Sequence, residues 1–355
     1  MKKLAKVRRT LDLTAVPGAN AVPRFSNEPA WMVLGLKILF VLCMLTTARA
    51  QFNDPNPDRE ALPKVPGAIS QFKVEERPDR LIITHSGKAV SEFVFRDEKI
   101  LRPYFANVHA PNGLQVTRSH PPIPGVDAMD HDTMHPGIWL AFGEFSGHDF
   151  WRNKGRIEHL QFVDRPKVEA DRLKFSTESK LVTSEGKTVC MLNNRLSLIQ
   201  RPGGWLMRWE ATFHSDQDDF SFGDQEEMGF GARMATPLCE TQGGVIVSST
   251  GRTKANKTWG QPASWCDYSG QSGDRSGGIT LMAAPRNFRE SWWHNRDYGL
   301  MVANPFGRGA MKQGSASEIR VKQGELFRIV FGSWIHDGTN VELDSAFQEF
   351  VRDLR

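Results

Sequence analysis

Short runs of alternating apolar and polar residues, separated by turn formers, occupy most of the chain. The clearest is WLMRWEATFHS at 205–215, where Leu206, Arg208, Glu210 and Thr212 alternate with Met207, Trp209, Ala211 and Phe213. A period of two belongs to a strand whose two faces meet different surroundings. Further β-type runs lie at 81–87, 89–95, 172–182, 194–200, 244–250, 278–285, 298–305 and 326–338. Pro202-Gly203-Gly204 and Gly243-Gly244 are among the turn signals between them. A helix is predicted only over 340–354, where Val341, Leu343, Phe347 and Val351 lie on or near one side and Asp344 and Ser345 stand near the start. Strand-helix alternation and solenoid or propeller repeats are absent. The pattern therefore predicts an all-β fold, a large antiparallel β-sandwich with a short C-terminal helix. Residues 251–277, rich in Gly, Ser, Asn and Trp, read as one long loop.

The N-terminal region departs from this pattern. Lys37, the apolar run Ile38 to Leu45 and Ala48-Arg49-Ala50 have the order of a secretory signal peptide, with cleavage expected after Ala50. Residues 1–31, with Pro17 and Pro23, are unusual for such a leader, and translation starting at Met32 would account for them. Residues 51–66 are polar and proline-rich and read as a linker; 67–355 is then a single sandwich domain. The expected location is the periplasm or the exterior, with no stable membrane insertion after cleavage.

The formal charge of the 355-residue chain is +4, and Lys2, Lys3, Lys6, Arg8 and Arg9 of the leader carry much of it. This is no footprint of nucleic-acid binding. Cys190, Cys239 and Cys266 remain beyond the leader, an odd and widely spaced set that permits one bridge but is no disulfide framework, and there is no CxxC for a thiolate zinc site.

The candidate chemistry concentrates between Arg102 and Gly155. Six of the ten histidines lie from His109 to His159. His131 and His135 are four residues apart with Asp130 adjacent, but Pro136 and Gly137 argue against a helix, so a loop must bring the rings together. Imidazoles there serve general acid/base work or bind a divalent metal with Asp130; the plainer reading is a histidine pair bonding a tight loop. In a strand, Glu227, Gly229, Gly231 and Arg233 share one face, and the glycines leave room for a ligand between a carboxylate and a guanidinium. The plainer alternative is a Glu227–Arg233 salt bridge. Trp292 and Trp293 precede His294, Asn295 and Arg296, with Asn304 following; aromatic faces stack on sugars while His, Arg and Asn hold hydroxyls, although core packing is as good a use for at least one tryptophan. Arg102, Tyr104 and His109 would complete the pocket, and Trp139, Phe142 and Trp151 would form core or pocket wall.

RPYFANVHAPNG, DHDTMHPGIWLAFGEFSGHDFW, EEMGFGARMATPL and HNRDYGLMVANPFG resemble the signature blocks of a bacterial family that carries the name methane oxygenase PmoA, over roughly residues 70–350. The resemblance implies a β-sandwich of the galactose-mutarotase kind and a carbohydrate context, in which a Glu base and a His acid move protons on a sugar. Many members read D-H-P-H-H-x-G where this chain has Asp130 to Gly137; His131 and His135 fit, while Met134 replaces the other histidine of the pair.

Three readings follow. The first is an exported sugar epimerase, lyase or hydrolase without a cofactor, using His131, His135 and Glu227 on a small-molecule or oligosaccharide substrate. The second is a noncatalytic carbohydrate-binding surface protein. The third is a metal-dependent oxygenase, as the family name has it, with Asp130, His131 and His135 as ligands.

Overall fold

In the computed structural model, which describes residues 71–354, the strands run in chain order. β1 (Phe72–Glu76), β2 (Arg80–His85), β3 (Lys88–Val94), β4 (Tyr104–Ala106) and β5 (Ile138–Phe142) come first. Next are β6 (Arg156–Glu169), β7 (Arg172–Val182), β8 (Thr188–Arg201), β9 (Gly204–His214), β10 (Phe220–Phe222) and β11 (Met228–Arg233). β12 (Val245–Ser248), a short helix α1 (Ala255–Thr258), β13 (Trp265–Ser272) and β14 (Arg275–Ala283) follow. The chain closes with β15 (Trp292–Trp293), β16 (Leu300–Asn304), β17 (Ile319–Val321), β18 (Phe327–Asp337) and helix α2 (Leu343–Asp353).

These strands make two eight-stranded sheets, β1-β2-β3-β4-β5-β11-β16-β15 and β12-β13-β14-β18-β9-β8-β7-β6, with β10 and β17 as a separate pair. The pairings within them are antiparallel. The alternation read at 205–215 is borne out in β9: Met207, Trp209, Ala211 and Phe213 join the inter-sheet core, while Arg208 faces away toward Asp353. Aromatic contacts bind the sheets across the core. Phe105 packs on Trp209 at 5.8 Å, Phe142 on Phe213 at 5.5 Å, and Phe230 stacks on Phe331 at 5.3 Å between ring centroids. Such pairs add about 1 kcal/mol each beyond the area they bury.

The predicted C-terminal helix is α2. Ala346, Phe347 and Phe350 pack on the outer face of the second sheet against Leu206, Trp265 and Trp334. Gly332 permits this approach, because a Cβ there would lie 2.7 Å from the Phe350 ring. Burying a side chain such as Phe350 contributes about 2 kcal/mol.

The expected loop at 251–277 is corrected: it contains α1 and the eight-residue strand β13. Trp265 to Gly270 are buried throughout, so both faces of β13 meet protein and no polar-apolar alternation marks it. Cys190, Cys239 and Cys266 are buried free thiols. The described residues fall within one compact unit. The leader and the 51–66 linker lie outside the described residues. Among the described residues, no helix is long and apolar enough to cross a membrane.

Candidate functional site

The outer face of the first sheet carries its own cluster. Tyr104, Ala106, Trp139, Ala141, Leu300 and Val302 point away from the inter-sheet core and pack with Trp151, Met134 and Tyr298. Over this cluster lies the segment Arg118–Gly137, pinned from below by two buried arginines. Arg118 donates to the carbonyls of Ala128 at 2.9 Å, Asp130 at 2.5 Å, His131 at 3.2 Å and His135 at 3.1 Å. Arg102 donates to the carbonyls of Trp151, at 2.8 Å, and Met134. Burial brings the Arg102 guanidinium down to about 9 and that of Arg118 to about 10, so both stay charged at neutral pH.

The loop does bring the two histidines together. His131 takes a positive φ of 51°, and its carbonyl accepts the amides of Met134 and His135, which folds the tetrapeptide into a turn. An aromatic column results. Trp139 stacks on His135 at 5.3 Å, His135 on His131 at 4.9 Å, and His131 on Tyr298 at 5.7 Å. Gly231 admits the lowest ring, since a Cβ on it would lie 2.8 Å from the Trp139 indole. The space expected over Gly231 is thus filled by protein.

Within the column, between His135 and Tyr298, His131 has its Nδ1 2.7 Å from Asp130 Oδ2. A carboxylate only accepts, so Nδ1 carries the proton and the neutral ring keeps its lone pair on Nε2. Asp130 is also held by Arg233 through two hydrogen bonds of 2.9 and 2.7 Å. Burial opposes ionisation of Asp130, but the bonds from Arg233 and His131 outweigh it and hold the carboxyl well below its usual range. His135 is held neutral well below 6.5, by burial first and then by the charges of Arg233, Arg102 and Arg118.

Tyr298 ties the remaining groups together. The Arg233 guanidinium lies over its ring at 4.5 Å. Burial raises the phenol pKa, the cations Arg233 and Arg296 oppose that rise, and the carboxylates Asp130 and Glu227 reinforce it. Glu227, one residue before β11, pairs with Arg152 at 2.8 Å and not with Arg233. Its neighbour Glu226 lies 2.7 Å from Arg296 and 3.1 Å from His294 Nδ1, and the His294 bond leads in drawing its pKa down.

Four expected ligand contacts have other uses. Arg102 is 2 % exposed, and its two terminal guanidinium nitrogens donate to carbonyls and Asn153. Tyr104 is buried and donates to Asp97 at 2.6 Å. The His109 ring bonds the Asn107 carbonyl at 2.7 Å and lies apart from the column. Asn304 donates to the carbonyls of Gln225 and Glu226 and accepts from the amides of Phe306 and Gly307, holding the segment that bears the two glutamates. Arg233, His294 and Arg296 do face the site's carboxylates. Glu226 and Tyr298 were passed over in the sequence, although the adjacent Glu226-Glu227 pair and Tyr298 before Gly299 were visible signals.

The donor set expected for a metal does not fit one. Both oxygens of Asp130 and the Nδ1 of His131 are engaged, and His135 is ringed by three guanidiniums that repel a cation. Among the described residues, no group of three or more His, Cys, Asp or Glu is arranged to hold an ion.

The chain is similar to a galactose mutarotase-like protein from Lactobacillus casei at 9 % identity, over 75 % of this chain and 100 % of that one, with a TM-score of 0.35. It is also similar to a galactose mutarotase related enzyme from Lactobacillus acidophilus (10 % identity, 76 % and 98 % covered, TM-score 0.33). A third is a GalM/aldose epimerase homologue from C. elegans (7 % identity, 76 % and 100 % covered, TM-score 0.29). No curated protein matches the sequence. The sequence match to a family does not carry the methane-oxygenase name: residues 80–348 fit the model described as "Family of unknown function (DUF6807)", and the chain belongs to that family.

Proposed function

We propose that this protein is an exported carbohydrate-active enzyme that moves protons on a sugar or modified glycoside, with His131 as the proton carrier. The observation that carries the reading is the Asp130–His131 pair. Asp130 fixes the imidazole tautomer, Arg233 fixes Asp130, and Nε2 makes no hydrogen bond to the described residues. An imidazole in that state accepts a proton from a hydroxyl or a C–H and returns it, the work of an epimerase, lyase or hydrolase. Glu227 is the second acid/base group in this reading; His131 stacks on Tyr298, and the Glu227 charge acts on the same phenol. His135, neutral and buried, positions His131 by stacking. The half-buried ring of Tyr298 and the donors of Arg296 and Arg152 supply the apolar face and polar fringe that sugars use.

The test is a screen of free sugars, glycosides and oxidised sugars, followed by nuclear magnetic resonance, with the His131→Ala and Glu227→Gln variants beside the parent. Turnover by the parent that drops at least about 100-fold in His131→Ala supports the reading. Undiminished turnover in that variant overturns the role of His131. Ligand binding without turnover in either protein would make the chain a noncatalytic carbohydrate-binding protein.

A further inference from the structure

Beside the Glu226–Arg296 ion pair opens a cavity of about 370 Å³, lined by Trp259, Asn295, Arg296, Asp297, Glu240 and Asn256. Arg296 is the shared wall: one face of its guanidinium region meets Glu226, and the same side chain borders the cavity. The volume is at the lower end of small-molecule sites and suits one sugar ring. The chemistry of the lining fits the same occupant. Trp259 is a half-buried aromatic wall, and Asn256 and Asp297 are exposed side chains with no hydrogen bond to other described residues. An aromatic plane with an amide, a carboxylate and a guanidinium at its edge is how a protein holds the apolar face and the hydroxyl rim of a pyranose. The cations already near Trp259, Arg296 at 5.8 Å and Lys312 at 5.5 Å from its ring, would be supplemented or displaced by the ring of the ligand.

We infer that this cavity is a second saccharide subsite, so that the substrate is a glycoside or oligosaccharide of at least two rings. This rests on the proposed sugar chemistry at His131 and deepens it. One ring would lie on Trp259 while its neighbour reaches the Tyr298 surface past Arg296. The helix α1 positions the tryptophan: Glu240 accepts the Ala255 amide at 2.7 Å at the helix start, and the Trp259 amide bonds the Ala255 carbonyl at its end.

The experiment is calorimetric binding of glucose, galactose and glucuronate, and of the 1,4-linked disaccharide of each, to the parent protein. Trp259→Ala, Trp259→Phe and His131→Ala are measured beside it. The inference expects a disaccharide to bind at least ten-fold tighter than its monosaccharide in the parent and in His131→Ala. The gain should be lost in Trp259→Ala and largely kept in Trp259→Phe, which retains a stacking ring and reports on folding. Equal affinity for one and two rings, or a gain indifferent to Trp259→Ala, overturns the subsite; no binding of any probe does so as well. Failure of the subsite leaves the His131 reading standing if monosaccharide turnover still depends on His131, so the two are separable.

Discussion

Arg233 and Asp130 meet through two parallel hydrogen bonds of 2.7 and 2.9 Å, although the arginine side chain is 1 % exposed and the aspartate side chain 40 %. A strand residue facing the sheet's outer surface thereby fixes a residue of the loop above it, and through it the tautomer of His131. Replacing Asp130 by Asn leaves the buried guanidinium with a neutral partner and gives His131 an acceptor that can also donate. We expect Asp130→Asn to lower the melting temperature by several degrees, equivalent to about 1–3 kcal/mol, and to cut turnover at least about 100-fold. Thermal melts and progress curves on the variant check both; full activity would sink the tautomer argument.

Gly231 provides a sharper test of the column. Its φ lies outside the left-handed region, so alanine is acceptable to the backbone, but the new Cβ would lie 2.8 Å from the Trp139 ring. Gly231→Ala should therefore tilt Trp139, and with it His135 and His131, at a cost of about 1–3 kcal/mol. Turnover should fall more than stability does. Stability by urea titration and kcat measured together reveal the difference, and a variant with parental kcat would show that the stacking is incidental.

Arg118 holds four carbonyls of the loop that bears Asp130 and His131. Lysine cannot form this planar fork. Arg118→Lys should raise the rate of proteolytic cleavage within 119–134 and lower kcat while leaving the sandwich folded. Limited proteolysis with mass mapping, set against near-unchanged far-ultraviolet circular dichroism, is the measurement.

His159 and His336 pull the pH dependence of stability in opposite directions. His159, buried against Phe95, is pushed down from 6.5 to about 4 by burial, with the charge of Arg96 adding to it. Its folded pKa lies below the unfolded one, so its contribution is complete above about 6.5 and is lost as pH falls through about 4. His336 behaves oppositely. Burial alone would lower its pKa, but Asp267, 2.9 Å from its Nε2, raises it, so its contribution is complete below 6.5 and is lost as pH rises through the folded value. Urea midpoints between pH 4 and 8 should show His159→Phe flattening the acid side by up to about 1.4 kcal/mol per pH unit. An unchanged acid slope in that variant would exclude His159 as its source.

Chelation should leave the protein active. Three arginines act on the His131–His135 turn of the outer face, so removing divalent cations with EDTA is expected to change kcat by less than two-fold. A stoichiometric metal lost on His131→Ala would contradict this.

The sequence by itself determined the fold class and most of its strands. Alternation is visible wherever one face of a strand meets the core and the other meets polar groups, and β7 occupies Arg172–Val182 as the pattern predicts. It also pointed to a loop, not a helix, at His131 and His135, since Pro136 and Gly137 follow them. Where both faces are buried the signal vanishes, which is why β13 read as loop. Partner choice was decided only by tertiary structure. Arg233 and Glu227 lie near opposite ends of β11, six residues apart, and each takes a partner from another segment: Asp130 from the loop, Arg152 from the turn after β5. Charge attraction carries no sequence address, so the same carboxylates and guanidiniums can be paired many ways until the sheet order sets their distances. Glu226, Tyr298 and Trp259 became neighbours of the site for the same reason: β11 and β16 pair side by side, and Trp259 bridges to Trp293 of the edge strand β15.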